Sequence, residues 1–68
     1  MPITDAYLEI DLDSPDGNAF FIMAKAKAAM QAVGAPKEVI AEYLSLATSG
    51  DYDHLLHITG EYLEFEAY

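Results

Sequence analysis

The longest apolar-periodic stretch of the chain lies between residues 16 and 33, and it constrains the fold more than any other feature. Its apolar residues recur at spacings of three and four, which places them on one face of a helix. These residues are Ala19, Ile22, Met23, Ala26, Ala29, Met30 and Val33. We therefore predict a central helix on which the rest of the chain packs. Asp16 or Asn18 is its expected N-cap, and Gly34 is its expected C-terminal stop.

Two segments near the ends of the chain alternate between apolar and polar residues, which is typical of half-buried strands. In residues 6–13, one side carries Ala6, Leu8, Ile10 and Leu12, and the other carries Tyr7, Glu9, Asp11 and Asp13. In residues 61–66, Leu63 and Phe65 face inward while Tyr62, Glu64 and Glu66 face outward. The two strands are expected to pair, either parallel or antiparallel, as a ribbon laid against the central helix, because an isolated ribbon is marginal in water.

Two shorter helices are expected between the central helix and the second strand. Pro36 favours the start of one, whose apolar face comprises Val39, Ile40, Tyr43, Leu44 and Ala47. Asp51 is a suitable N-cap for the next, and Gly60 is its expected end. That helix would place Tyr52, Leu55, Leu56 and Thr59 on one side. The predicted architecture is a single α+β domain over residues 1–68, with the order β-α-α-α-β.

The size and composition of the chain limit what it can be. A chain of 68 residues with 53% apolar content buries only about 60% of the surface that it exposes when unfolded. The chain contains no Cys, so we expect its stability to come from packing or oligomerisation rather than from disulfides. No apolar run reaches the roughly 18 residues of a membrane span, and the first five residues lack the basic character of a signal peptide. We therefore predict a soluble, cytoplasmic protein that does not contact a membrane.

The charge balance is strongly acidic. Twelve Asp and Glu residues oppose three Lys residues, which gives a formal net charge of −9. Direct binding to nucleic acid is disfavoured, because phosphates are neutralised by clustered Lys and Arg. One interpretation is that the acidity serves only solubility. The other is that the negative field selects a basic partner.

No pattern in the sequence predicts catalysis, a cofactor or a metal. His54 and His57 are three residues apart and could share a helical face, but a transition-metal site needs at least a third ligand in defined geometry. No carboxylate pair stands out as an acid and base, and the serines lack a nucleophile motif. We predict that the protein is not an enzyme.

The outward face of the terminal ribbon is the candidate site. It would combine carboxylates with tyrosines in one surface, and its predicted members are Tyr7, Glu9, Asp11, Asp13, Tyr62, Glu64 and Glu66. Acids two residues apart on a strand are separated by about 6 to 7 Å, which resembles the spacing of phosphates along a nucleic-acid strand. The alternative is an ordinary solvated face. Tyrosine is enriched in protein interfaces, and this favours a contact surface.

Two segments carry a resemblance to known proteins. The run Asp16-Gly17-Asn18-Ala19-Phe20 opens the central helix, and Ser49-Gly50-Asp51-Tyr52-Asp53-His54-Leu55-Leu56 precedes the last strand. Together they resemble a set of small acidic proteins encoded by phages and other mobile elements. At the level of class, this is similar to phage inhibitors of host enzymes, including anti-CRISPR proteins and inhibitors of uracil-DNA glycosylase, some of which mimic DNA charge. The resemblance implies no catalytic residues.

Two hypotheses about function follow from these observations. In the first, the protein binds a basic partner, a host enzyme that acts on nucleic acid, and inhibits it by covering its basic groove with the acidic ribbon. In the second, it is a structural or assembly protein, a homodimer formed through a strand edge or a helix face, and its acidity only keeps it soluble.

Overall fold

The structure is a computed structural model that describes residues 2–68, without the side chain of Asp16. It confirms the predicted α+β order of one strand, three helices and a second strand. The elements are strand β1 (Tyr7–Ile10), helix α1 (Ala19–Ala32), helix α2 (Lys37–Ala47), helix α3 (Tyr52–Tyr62) and strand β2 (Glu64–Ala67). A short 3-10 turn at Pro15–Gly17 leads into α1.

The two strands form a parallel sheet, which is one of the two arrangements that the sequence allowed. The register pairs Tyr7 with Glu64 and Glu9 with Glu66. Hydrogen bonds between the two main chains continue past the C-terminal ends of both strands. The Tyr68 N–H donates to the Ile10 carbonyl (3.1 Å), and the Leu12 N–H donates to the Tyr68 carbonyl (2.7 Å). Parallel neighbours need a long crossover, and here the three helices provide it.

Helix α1 begins and ends with the predicted signals. The Asn18 side chain accepts from the Phe20 N–H at 2.8 Å, so Asn18 rather than Asp16 is the N-cap. Gly34 has a φ of +76°, in the left-handed region that glycine adopts without a Cβ penalty. The prediction that Val33 belongs to the buried face was wrong, because Val33 is the C-cap residue and is 49% exposed.

The core lies between the sheet and the three helices. Its buried residues come from β1, the three helices and the residues just before each strand: Ala6, Leu8, Ile10, Ile22, Ala26, Met30, Ile40, Tyr43, Ala47, Leu55, Ile58, Tyr62 and Leu63. Strand β2 contributes the partly buried Phe65, which packs against this core. Among the described side chains, the polar Thr59 is also fully buried. It lies where α3 meets α2, and its Oγ1 is 2.8 Å from the Tyr43 hydroxyl. The sheet is therefore covered on one side only, and its other side faces solvent.

The turn before α1 is closely packed. A Cβ atom on Gly17 would overlap the carbonyl oxygen of Leu12, so this position accepts no larger residue without a shift of the backbone. The Tyr52 hydroxyl, at the start of α3, donates to the Gly17 carbonyl. This contact ties the first turn of α3 to the entrance of α1.

Helix α3 extends further than predicted. Gly60 does not end it, and the helix continues to Tyr62, because Leu55, Ile58 and Tyr62 follow the helical spacing on its buried side. The second strand accordingly begins at Glu64 instead of residue 61. The first strand is also shorter than predicted and covers only four residues.

Within residues 2–68, no helix combines the length and the apolar character that a membrane-spanning segment requires.

Candidate functional site

The solvent side of the parallel sheet carries a compact group of carboxylates and tyrosines. We name it the acidic face, and its members are Tyr7, Glu9, Asp11, Glu64, Glu66 and Tyr68, all of them exposed. Alternation along the strands places these residues outward while their neighbours Leu8 and Ile10 enter the core. The local strand pattern therefore generates the face directly.

The register sets the spacing of the charges. Glu9 lies directly opposite Glu66, and Tyr7 lies opposite Glu64. Adjacent strands are about 4.8 Å apart, and outward residues on one strand repeat at about 6.6 Å. Like charges directly across a sheet repel one another. This arrangement therefore lowers the stability of the isolated protein and raises its attraction for a basic surface.

Two tyrosines bracket the carboxylate of Glu9. The Tyr7 hydroxyl donates to Glu9 Oε2 at 3.1 Å, and the Tyr68 hydroxyl donates to Glu9 Oε1 at 3.5 Å. Both rings remain accessible, with Tyr7 54% and Tyr68 65% exposed. An accessible aromatic ring beside a carboxylate is a suitable contact for an Arg or Lys side chain, since it offers an acceptor and a π face together.

The field of the carboxylates is evident in the tyrosine pKa values. The hydrogen bond to Glu9 raises the pKa of Tyr7, with smaller contributions from desolvation and from the charge of Glu66. The charge of Glu9 raises the pKa of Tyr68, followed by desolvation and the charge of Asp11. A phenol of ordinary pKa, about 10, is already neutral at neutral pH, and the carboxylates disfavour its ionisation further, so both hydroxyls can donate hydrogen bonds.

Among residues 2–68, no lysine pairs with a carboxylate of the acidic face. The contact between a basic side chain and a carboxylate in this part of the chain is that of His57 Nε2 with Glu61 Oε1 on α3, at 3.1 Å. The three lysines lie on or at the start of the first two helices, at Lys25, Lys27 and Lys37. The negative charge of the face is thus unpaired within the described chain, and it is available to a partner.

No protein-family model, curated protein or solved structure matches this chain. The resemblance to proteins of mobile elements therefore remains a prediction, and inferences about function depend on the geometry of the acidic face.

The structure brings most of the predicted site residues together, and it contradicts the assignment of one. Tyr62 was expected to face outward, but it lies in the last turn of α3, is only 3% exposed and packs against Tyr43 with ring centroids 5.5 Å apart. Its hydroxyl donates to Glu42, and its pKa is raised to about 12 by burial and by that hydrogen bond. Asp13 is exposed in the turn that follows β1, next to the acidic face, and its N–H donates to Asp11 Oδ1 at 3.0 Å.

Tyr68 is the member of the acidic face that the sequence analysis missed. Its main chain pairs with β1 through the Ile10 carbonyl and the Leu12 N–H. A signal was present, because the alternation of Glu64 and Glu66 reaches residue 68 if the strand is continued to the end of the chain.

The two histidines do not converge. His54 Nε2 lies 2.9 Å from the Leu46 carbonyl and 3.3 Å from Ser49 Oγ, at the junction of α2 with α3. His57 instead pairs with Glu61 one turn further along α3. Within the described residues, no cluster of three or more His, Cys, Asp or Glu side chains forms a metal-binding group.

The clefts on the described surface are small. One of about 250 Å³ lies between the N-terminal segment and the turn that joins α1 to α2, and one of about 150 Å³ lies at the edge of the acidic face, beside Tyr7 and Glu64. Sites for small molecules are typically about 300 to 1,000 Å³ in volume. The arrangement of the acidic face is better suited to recognition of a flat or convex basic surface.

Proposed function

We propose that the protein binds a basic surface of another protein through its acidic face. The single observation that carries this proposal is the parallel register, which sets Glu9 beside Glu66, with neither carboxylate in an ion pair with a cation of residues 2–68. Repulsion between these carboxylates destabilises the isolated domain. A basic partner would be attracted to both of them and would reduce that repulsion on binding.

The kind of partner is inferred from the charge pattern. Enzymes that act on nucleic acid carry Lys and Arg in the groove that receives the phosphates. The acidic face offers carboxylates at intervals of about 5 to 7 Å in two rows. We infer that the protein covers such a groove in a host enzyme, of the defence type, and inhibits it by excluding nucleic acid. A phage or another mobile element is the source in which such an inhibitor is useful.

The exposed tyrosines support a protein partner over simple solvation. Tyr7 and Tyr68 lie at opposite corners of the acidic face, and each hydroxyl is fixed by Glu9. Tyrosine buries a large area with little loss of side-chain entropy, and it is enriched where protein interfaces form. The solubility interpretation accounts for the carboxylates but gives no role to these two rings.

The proposal is tested by affinity capture from a host lysate, with the protein immobilised and the bound fraction eluted either by salt or by a short DNA duplex. We expect an enzyme that acts on nucleic acid to be captured, to be released by both treatments and to lose activity when the protein is added in excess. A captured partner that resists both salt and DNA would contradict the groove-covering model. It would favour the second hypothesis, in which the acidity serves only solubility.

A further inference from the structure

The solvent side of α1 differs from the rest of the surface. Helix α1 has no Asp or Glu among its 14 residues, although twelve of the 68 residues in the chain are acidic. It begins with two exposed aromatic residues, Phe20 at 79% and Phe21 at 49% exposure. A helix that is apolar on both sides normally has apolar neighbours on both sides. Here the core covers only the side with Ile22, Ala26 and Met30.

The exposed apolar residues of α1 are contiguous. With about 100° between successive residues, they form one stripe along the whole helix, which we name the outer α1 stripe. Its members are the apolar residues Phe20, Phe21, Ala24, Ala28 and Ala32 together with the polar Gln31, all of them exposed. Lys25 and Lys27 lie at its two margins, where their charged ends can reach water while their stems cover apolar surface.

We propose that the outer α1 stripe pairs with the same stripe of a second copy of this chain, in an antiparallel, two-fold symmetric dimer. The side chains of the stripe are large at the start of the helix, where Phe20 and Phe21 lie, and small further along, where Ala28 and Ala32 lie. A two-fold axis near the middle of the helix brings the large end of one copy onto the small end of the other. Facing large with small is the arrangement by which helices interdigitate, and alanines allow a close approach of about 8 Å between axes.

Charge also favours this face for self-association. Each copy carries a net charge of −9, so two copies repel one another over most of their surfaces. The outer α1 stripe has no acidic residue, and its flanking lysines reduce the local negative potential. Because α1 contacts β1 from the inner side of the sheet, the stripe and the acidic face lie on different sides of the domain. A dimer of this kind therefore leaves both acidic faces open.

Sedimentation equilibrium of the full chain, over a range of protein and NaCl concentrations, tests the dimer. We expect a reversible monomer–dimer equilibrium that shifts toward dimer as salt rises, because salt screens the repulsion between like-charged copies. This direction is opposite to that expected for a complex of the acidic face with a basic partner, so failure of one proposal is distinguishable from failure of the other.

Ala28→Glu places a charge in the middle of the stripe at an exposed position and preserves a good helix former. It should weaken dimerisation at least about tenfold while the circular dichroism spectrum stays unchanged. Ser45→Glu, at an exposed position of α2 outside the cleft that α2 shares with the outer α1 stripe, is the matched control and should dimerise like the parent. Phe20→Ala should also weaken the dimer.

Three results would overturn the dimer. The first is a parent chain that stays monomeric at every concentration and salt level. The second is equal dimerisation of the Ala28→Glu and Ser45→Glu variants. The third is a monomeric parent in which Ala28→Glu abolishes capture of a different protein, because the stripe would then have another occupant.

Discussion

The buried hydroxyl pair between α2 and α3 allows a quantitative test of the core. Tyr43 and Thr59 are both fully buried, and their oxygens are 2.8 Å apart. Thr59 Oγ1 also donates to the Leu55 carbonyl at 2.8 Å. Its single proton is therefore used, and the Tyr43 hydroxyl must be the donor in the pair. The two side chains consequently have unequal roles, and removal of each should have a different cost.

The expected loss in the free energy of unfolding depends on which hydroxyl group each substitution leaves without a hydrogen-bond partner. Thr59→Val keeps the side-chain shape but leaves the buried Tyr43 O–H without an acceptor, which costs about 1 to 3 kcal/mol. Tyr43→Phe removes the donor, and Thr59 keeps its bond to the Leu55 carbonyl, so the cost should be about 1 kcal/mol. In the double variant no hydroxyl is left unpaired. Its cost should be lower than the sum of the single costs, with a coupling of about 1 kcal/mol.

Urea unfolding followed by far-ultraviolet circular dichroism measures these differences. A chain of this size should be stable by about 3 to 10 kcal/mol, at roughly 0.05 to 0.15 kcal/mol per residue, so a loss of about 1 to 3 kcal/mol is a large and measurable share of the total. Two results together would refute the assignment of Tyr43 as the donor to Thr59. The double variant would cost the sum of the two single costs, and Tyr43→Phe would cost as much as Thr59→Val. Such an outcome would mean that the two hydroxyls do not form the buried pair.

Three further predictions test the fold. Ile22→Ala, at a fully buried position, should cost about 2 to 5 kcal/mol in urea unfolding, and more than Met23→Ala at the partly buried neighbouring position; equal costs would contradict the observed face of α1. Asn18→Ala should cost about 1 kcal/mol in thermal unfolding, whereas Asn18→Asp should retain the cap. The pKa of Tyr62 is raised from 10.0 to about 12 in the folded state, so its contribution to stability is present below pH 10.0 and is lost as the pH rises toward 12. Tyr62→Phe should flatten this alkaline decline in unfolding experiments.

The sequence was sufficient to predict the strands and helices whose residue patterns are compatible with only one type of secondary structure. Alternation marked β1, and helical periodicity with Asn18, Gly34 and Asp51 at the boundaries marked the three helices. It was insufficient at the end of α3, because Gly60 is a common stop signal. The buried side of α3 overrides that signal, since tertiary packing gains more from a buried Tyr62 than the helix loses at one glycine.

The candidate site was only partly predictable for a related reason. The inward and outward alternation of β2 was predicted correctly, and it was the two ends of the strand that decided which tyrosine belonged to the site. Tyr62 was assigned to the surface because the strand was started too early, and Tyr68 was missed because the strand was ended too early. The parallel direction also depends on how three helices pack, which strand patterns alone do not specify.

The claim that the acidic face is a contact surface is tested most directly by two variants of equal charge. Glu9→Gln with Glu66→Gln removes the opposed pair on the sheet, and Glu38→Gln with Asp53→Asn removes one acid from the first turn of each shorter helix. Each variant changes the net charge from −9 to −7. The measurement is the association rate with the captured partner, together with the melting temperature.

We expect the sheet variant to melt at an equal or higher temperature than the parent, because repulsion across the sheet is removed. It should associate with the partner more slowly, because steering toward the basic surface is weakened. The helix variant should melt slightly lower, since acids in a first turn favour the helix dipole, and it should bind like the parent. Equal loss of binding in both variants, or no loss in either, would contradict a contact through the acidic face.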